Sequence, residues 1–178
     1  MNTSEAPLGR AWELARLESL ILEGVRLVNI CGLGGVGKST LLRYWAETSA
    51  GVTVIDCAAY HGRLRARLVD AFRLRIDTDE ALVGAAQGLI ALDDIGSHPD
   101  DLALLRTMLD HGSAQFVVTA RRPVKHLSEH VFDLHGLPLD VHATLTEARR
   151  SPAVQLFDAS HGGTAAISRF TPSITQRC

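Results

Sequence analysis

Short apolar runs alternate with longer amphipathic segments along this chain, and each apolar run has the length of a buried β-strand. Five runs predict strands, at 26–31, 52–56, 89–92, 116–119 and 131–134. Apolar positions spaced for one helical face predict helices at 11–23, 64–74, 80–87, 100–110 and 152–160, and another that includes 41–46. Strands that alternate with helices are typical of a parallel sheet with helices on both faces. The pattern therefore predicts an α/β fold in three α/β/α layers.

Composition adds a domain plan to this pattern. The chain has 178 residues, of which 46% are hydrophobic and 21% charged, as expected for a single globular core. We expect an N-terminal segment with the first helix at 1–24 and the main domain at 25–160. Residues 161–178 are rich in glycine, serine and threonine and have few apolar anchors, so they are predicted to be a disordered tail.

Charge and cysteine content argue against several kinds of partner. The net charge of −2 is not that of a protein that wraps a polyanion, so no direct nucleic-acid binding is expected. No apolar run reaches the roughly 18–20 residues of a membrane helix, and no signal peptide follows the N-terminus, so we expect a cytoplasmic protein without a membrane partner. The three cysteines lack a CxxC spacing, which predicts reduced thiols without a disulfide or zinc.

The segment GLGGVGKST at 32–40 follows the first predicted strand, precedes a helix, and matches the phosphate-binding loop pattern. Glycines there let backbone N–H groups approach a phosphate chain at the positive end of the helix. Lys38 would reach the β- and γ-phosphates, the Ser39 hydroxyl could ligate Mg²⁺, and Thr40 could add a phosphate contact. The candidate nucleotide-binding residues of this loop are Gly32, Leu33, Gly34, Gly35, Val36, Gly37, Lys38, Ser39 and Thr40.

Two acids follow the third predicted strand, at the edge where open α/β sheets bind their ligands. Asp93 is the candidate for holding Mg²⁺ through water, together with Ser39. Asp94 is then placed to orient or deprotonate the water that attacks a γ-phosphate. The alternative use of either acid is in a turn or a helix cap, where aspartate is also favoured.

The fourth predicted strand ends in Thr119, and two arginines follow it. The Arg121 and Arg122 guanidinium groups could sense or neutralise a γ-phosphate, and Arg121 is taken as a candidate catalytic residue. The alternative is a pair of solvated surface arginines, which is common after a strand.

In this order the motifs resemble those of bacterial signal-transduction ATPases of the STAND class, whose nucleotide-binding module is related to NB-ARC and AAA+ domains. The loop at 32–40, the strand that ends in two acids and the Thr119–Arg121 segment are similar to the Walker A, Walker B and sensor-1 motifs. Residues 7–10 resemble the vGR segment that opens these modules, which implies that Leu8, Gly9 and Arg10 contact nucleotide. The sequence SPAVQLF at 151–157 is similar to the SPAVxLF helix of the family.

The resemblance implies a P-loop NTPase fold with the sheet order 5-1-4-3-2. It also implies a switch that is held off with ADP and turned on by ATP exchange and self-association. No GxP lid motif follows Phe157, and the chain ends where a helical lid, a winged-helix domain and sensor repeats would begin. We therefore expect a fragment of a longer protein, a truncated reading frame, or a subunit that borrows its lid.

These features together predict a Mg²⁺-dependent, ATP- and ADP-binding switch ATPase. Hydrolysis is expected to be slow, because the chain shows no arginine to act in trans. Its expected partners are nucleotide, further copies of itself, and effector or sensor domains on a longer chain. A module that binds nucleotide without hydrolysis is one alternative. A small-molecule kinase, with Arg149 and Arg150 in a mobile lid, is another.

Overall fold

The fold is centred on a parallel sheet whose strands follow the predicted apolar runs. A computed structural model describes residues 6–60, 62–137 and 149–160. Within these residues the strands are β1 (Leu27–Cys31), β2 (Val52–Asp56), β3 (Leu89–Asp93), β4 (Gln115–Ala120) and β5 (Glu129–Asp133). All neighbouring strands pair in parallel, in the order β2-β3-β4-β1-β5. Counted from the other edge this is 5-1-4-3-2, so the predicted fold class and strand order are confirmed.

Helices connect or flank these strands. They are α1 (Ala11–Leu22), α2 (Lys38–Thr48), α3 (Leu64–Ala71), α4 (Asp79–Ala85), α5 (Pro99–His111) and α6 (Pro152–Ser160). The largest departure from prediction is α3, which was expected to continue to residue 74. It ends earlier because the backbone turns at Arg73, whose φ of 52° is left-handed and cannot continue an α-helix.

The sheet has a separate apolar core on each face, which follows from the alternation of side chains along each strand. On one face α3, α4 and α5 pack against Ile90, Leu92 and Phe116. On the other face α1 and α2 pack against Ala91 and Val117, which come from the same two strands. Two helical layers around one sheet give the three-layer α/β/α architecture.

Parallel pairing brings the carboxyl ends of all five strands to one edge of the sheet. Cys31 of β1 is in register with Ala120 of β4 and Asp133 of β5. Asp56 of β2 is in register with Asp93 of β3. The loop that follows β1 therefore emerges at the same edge as the two acids.

The chain divides into two compact units, Met1–Gly136 and Leu137–Cys178. The first unit contains the sheet and α1–α5. The second contains α6, which begins after Ser151, and the Ser151 hydroxyl oxygen accepts a hydrogen bond from the Val154 N–H at 3.3 Å. The predicted tail at 161–178 lies outside the described residues. None of the helices in the described ranges has the length and apolar character that crossing a bilayer requires.

Candidate phosphate-binding site

The loop from 32 to 37 joins β1 to α2, and its backbone depends on glycine at specific points. Gly35 and Gly37 have φ angles of 79° and 97°, in the left-handed region that side chains disfavour. Gly32 also has a positive φ, of 155°, and it is constrained by space as well, because a Cβ there would lie 2.5 Å from the carbonyl oxygen of Leu134. The segment after β5 therefore packs directly against the first residue of the loop.

Lys38 is the first residue of α2, and its side chain folds back over the loop. The residue is only 9% exposed. Its Nζ donates hydrogen bonds to the carbonyl oxygens of Gly32 and Leu33, both at 2.9 Å. An ammonium has three N–H donors, so Lys38 can turn a donor toward a ligand in the loop while remaining anchored.

The N-terminus of α2 is arranged to favour an anion. The first backbone N–H groups of a helix have no acceptor within the helix, and they carry the positive end of its dipole. Gly37 occupies the N-cap position without a side-chain cap, and the first turn contains no acidic residue. Ser39 is partly buried and Thr40 is exposed at this end of the helix. The loop, the helix end and Lys38 thus form one concentration of hydrogen-bond donors.

Asp93 and Asp94, at the end of β3, have different surroundings. Asp93 is 1% exposed, and its Oδ1 accepts a hydrogen bond from the Thr119 hydroxyl at 2.8 Å. The backbone N–H of Asp94 donates to the same hydroxyl oxygen at 2.7 Å. Asp94 has a φ of 57°, which turns the chain sharply at the strand end. Thr119 therefore fixes the position of both acids from the neighbouring strand.

Arg43 is a functional candidate that the sequence reasoning missed. Its Nε and Nη2 lie 2.9 and 2.8 Å from Oδ2 of Asp93, and Nη2 also lies 3.1 Å from Oδ2 of Asp56. The sequence contains one indication of this role, which is the spacing of Arg43 from Ser39. Arg43 comes four residues after Ser39, so the two side chains share one face of the helix. The acid partners could only be found from the register of β2 with β3.

These contacts bear on the predicted Mg²⁺ site at Ser39 and Asp93. One oxygen of Asp93 accepts a hydrogen bond from Thr119 and the other accepts one from Arg43, so direct coordination of a divalent ion by this carboxylate would compete with these two protein contacts. Across residues 6–60, 62–137 and 149–160, no three His, Cys, Asp or Glu side chains gather where they could hold a metal. The Mg²⁺ site remains a prediction.

Arg121 lies between the acids and the loop. It is exposed and lines two cavities, of about 210 and 280 Å³. The smaller cavity is lined by Asp94, Ile95, Gly96, Ser97, Leu102, Ala120, Arg121, Arg122 and Pro123. The larger is lined by Cys31, Gly32, Leu33, Val36, Arg121, Pro123, Asp133, Leu134, His135 and Gly136. The structure thus brings Asp94 and Arg121, the two predicted catalytic residues, to one cavity.

Arg10 joins the N-terminal segment to the loop. It is 7% exposed, and its Nη2 donates to the carbonyl oxygens of Val36 and His135 at 3.1 and 2.7 Å. Its Nη1 pairs with Glu13 at 2.6 Å. The guanidinium is therefore engaged with backbone on both sides of the larger cavity. Leu8 is 42% exposed just before it, and Gly9 lies in a turn.

The thiol of Cys31 lies at the end of β1, immediately before the loop. Burial raises the pKa of Cys31 to about 11, and the negative charges of Glu129 and Asp133 act in the same direction. The thiol is therefore protonated at neutral pH and contributes as a small apolar group beside the loop.

Comparison with solved structures shows a structural likeness, whereas comparison with sequence families does not. No protein-family model matches the chain, and no curated protein matches it. Among solved structures, the chain is similar to a signal transduction ATPase with numerous domains (STAND) from Pyrococcus horikoshii, which has a tetratricopeptide repeat sensor. The identity is 19% and the TM-score is 0.45, over 87% of this chain. The matched part is 28% of that protein, so the chain spans less than a third of its length.

Proposed function

We propose that this chain binds ATP and ADP, with the phosphates held by the loop at 32–40. The observation that carries the proposal is the position of Lys38, which is anchored over a glycine loop at the uncapped N-terminus of α2. A buried ammonium and a set of helix N-terminal donors in one place favour the binding of an anionic ligand. A phosphate chain has the length and charge to contact both.

The loop backbone also supports a phosphate ligand. Gly35 and Gly37 have left-handed φ angles, and such angles are typical of the turns whose backbone N–H groups form anion-binding concavities. The tight packing of Gly32 against Leu134 holds the loop entrance in place.

We further propose that the bound ATP is hydrolysed slowly, as part of a STAND-type switch. Asp94 is held by Thr119 at the cavity that it shares with Arg121. In that position its carboxylate can orient a water molecule, and Arg121 can contact the terminal phosphate. The order of the loop, the two acids and Thr119–Arg121 in the sequence supports the switch-ATPase assignment. Further copies or effector domains would carry the output of the switch.

The second candidate is a module that binds nucleotide without hydrolysing it. It is favoured by the contacts of Asp93, whose two carboxylate oxygens accept hydrogen bonds from Thr119 and Arg43. The guanidinium of Arg43 neutralises the negative charge of this carboxylate beside the residues proposed for hydrolysis. The two candidates differ in the effect of Asp94→Asn. This variant should lower ATP turnover if the chain is an ATPase, whereas it should leave nucleotide binding unchanged under either candidate.

The proposal is tested by measuring nucleotide binding in two lysine variants. The purified chain is denatured and any released nucleotide is identified by chromatography, and ADP and ATP affinities are then measured by calorimetry. Lys38→Ala is expected to lose at least about tenfold in affinity, because a charge-assisted phosphate contact contributes about 1.4 kcal/mol or more. Lys125→Ala removes the same charge from an exposed loop residue and should bind as the parent does.

The outcomes separate clearly when folding is checked by circular dichroism. Loss of affinity in Lys38→Ala alone supports the proposal. Equal affinity in the parent and both variants would contradict it, as would a parent chain that binds neither nucleotide. Competition with GDP and GTP then establishes whether the base is recognised.

A further inference from the structure

A cluster of four side chains lies beside the phosphate loop and is not used in the proposed binding of phosphate. It consists of Arg43, Asp56, Asp93 and Thr119, and it is called the arginine–aspartate cluster below. Arg43 comes from α2, the acids end β2 and β3, and Thr119 comes from β4. Three neighbouring strands and the loop helix therefore converge on it.

The guanidinium of Arg43 neutralises an acid that is almost completely buried. Asp93 is 1% exposed, while the side chain of Arg43 is 47% exposed. Two nitrogens of Arg43 lie within 2.9 Å of one Asp93 oxygen. A buried carboxylate without a compensating charge is strongly unfavourable, so some cation must accompany Asp93 whenever it is ionised.

The Arg43 cation lies near the phosphate loop, and this position connects the arginine–aspartate cluster with nucleotide binding. Arg43 is one helical turn beyond Ser39, on the helix whose N-terminus faces the loop. Asp56 and Asp93 are register partners, so their carboxylates meet at the same sheet edge. Bound phosphates would add negative charge near these acids. Such a site needs a cation, and the chain supplies one of its own.

Arginine is suited to this role in a way that lysine is not. Its planar guanidinium fork can bond two carboxylates together. Arg43 does so here, since Nη2 contacts both Asp93 and Asp56. The other Asp93 oxygen is bonded to the Thr119 hydroxyl. A divalent ion would have to displace Arg43 to reach Asp93 directly.

We propose that Arg43 takes, as a fixed cation, the place at Asp93 that a divalent ion would need, so that nucleotide binding by this chain depends only weakly on Mg²⁺. The inference rests on the proposed function, because it concerns the binding of nucleotide in the same site. It goes beyond that function by assigning to Arg43 the control of metal dependence. A purely structural ion pair would not affect the response to Mg²⁺.

The test compares ADP affinity in excess Mg²⁺ with ADP affinity in EDTA, for the parent and for variants. In the parent the two affinities are expected to agree within about threefold. In Arg43→Gln, Mg²⁺ is expected to raise the affinity at least about tenfold, since the ion can then neutralise Asp93. Arg16→Gln is the matched control, because it removes an equal charge from the surface of α1, and it should behave as the parent does.

A second measurement uses the metal alone. Mn²⁺, whose binding is visible by electron paramagnetic resonance, is titrated into each protein without nucleotide. Arg43→Gln should bind Mn²⁺ more tightly than the parent, and the double variant Arg43→Gln with Asp93→Asn should lose the gain. That loss would locate the ion at the carboxylate that Arg43 covers.

The outcomes distinguish a failure of the inference from a failure of the proposed function. A parent that requires Mg²⁺ for ADP binding by about tenfold or more would overturn the inference, even if Arg43→Gln does not fold. Equal Mg²⁺ responses and equal Mn²⁺ affinities in the parent and Arg43→Gln would overturn it too. A parent that binds no nucleotide under any condition contradicts the proposed function instead, and the Mn²⁺ titration then decides the role of Arg43 by itself.

Discussion

Thr119 is the residue whose replacement most directly tests how the two acids are positioned. Its side chain is fully buried in β4. The hydroxyl donates to Oδ1 of Asp93 at 2.8 Å and accepts from the backbone N–H of Asp94 at 2.7 Å. Thr119→Val keeps the size and the branched shape of the side chain but removes both hydrogen bonds. The variant therefore isolates the contribution of the hydroxyl group.

The expected loss of stability follows from these two bonds. A hydrogen bond to a charged group contributes about 1.5–3 kcal/mol, and a bond between neutral groups about 1 kcal/mol. Thr119→Val should thus lower the free energy of unfolding by about 2.5–4 kcal/mol. Thr119→Ser keeps the hydroxyl and loses one buried methyl group, which should lower it by only about 1 kcal/mol.

The assay is equilibrium urea unfolding of the parent and both variants, followed by circular dichroism at neutral pH. Coincident transitions at two wavelengths would justify a two-state fit. If Thr119→Val is no less stable than Thr119→Ser, the hydroxyl does not hold the acids as described. The proposed orientation of Asp94 would then lose its structural basis.

Two other substitutions test the loop and a buried thiol. Gly32→Ala places a Cβ 2.5 Å from the Leu134 carbonyl oxygen and should lower the free energy of unfolding by about 1–3 kcal/mol, whereas Gly34→Ala, with open space around it, should change it little. Urea unfolding of the two variants checks this, and equal stabilities would refute it. Burial raises the pKa of Cys57 to about 12 from 9.0, so the folded state keeps a proton that the unfolded thiol loses, and stability falls as the pH rises through this window. Between pH 8 and pH 10 the free energy of unfolding should fall by about 1.4 kcal/mol more in the parent than in Cys57→Ala. Equal falls in the two proteins would contradict the argument.

The elements with a strong apolar pattern were predictable because burial itself creates that pattern. The strand β2 has the predicted bounds, and β1 and β3 differ from prediction by one residue. The phosphate loop could also be found from sequence, because its glycines and Lys38 are local in the chain. The strand order came from the resemblance to a known family, and not from the pattern of apolar residues.

The strand β5 begins earlier in the chain than the apolar pattern predicts. It was predicted at 131–134 from its apolar residues, but it begins at Glu129, which pairs in register with Leu27. The Glu129 carboxylate accepts hydrogen bonds from the Asn29 side chain and from the backbone N–H of Val124. Pairing with β1 and these polar contacts extend the strand, and neither leaves an apolar signal.

The sequence by itself determined the strands, the phosphate loop and the acids that end β3, since each depends on neighbouring residues in the chain. Only the tertiary structure decided how Asp93 is neutralised. Helix α2 brings Arg43 to that acid. The pairing of β2, β3 and β4 brings Asp56 and Thr119 to the same place. The same is true of Arg10, whose guanidinium bonds the carbonyl oxygen of Val36 and that of His135, 125 residues away in the chain. Such contacts depend on strand order and register, which are set by packing of the whole sheet and are not encoded in any local spacing.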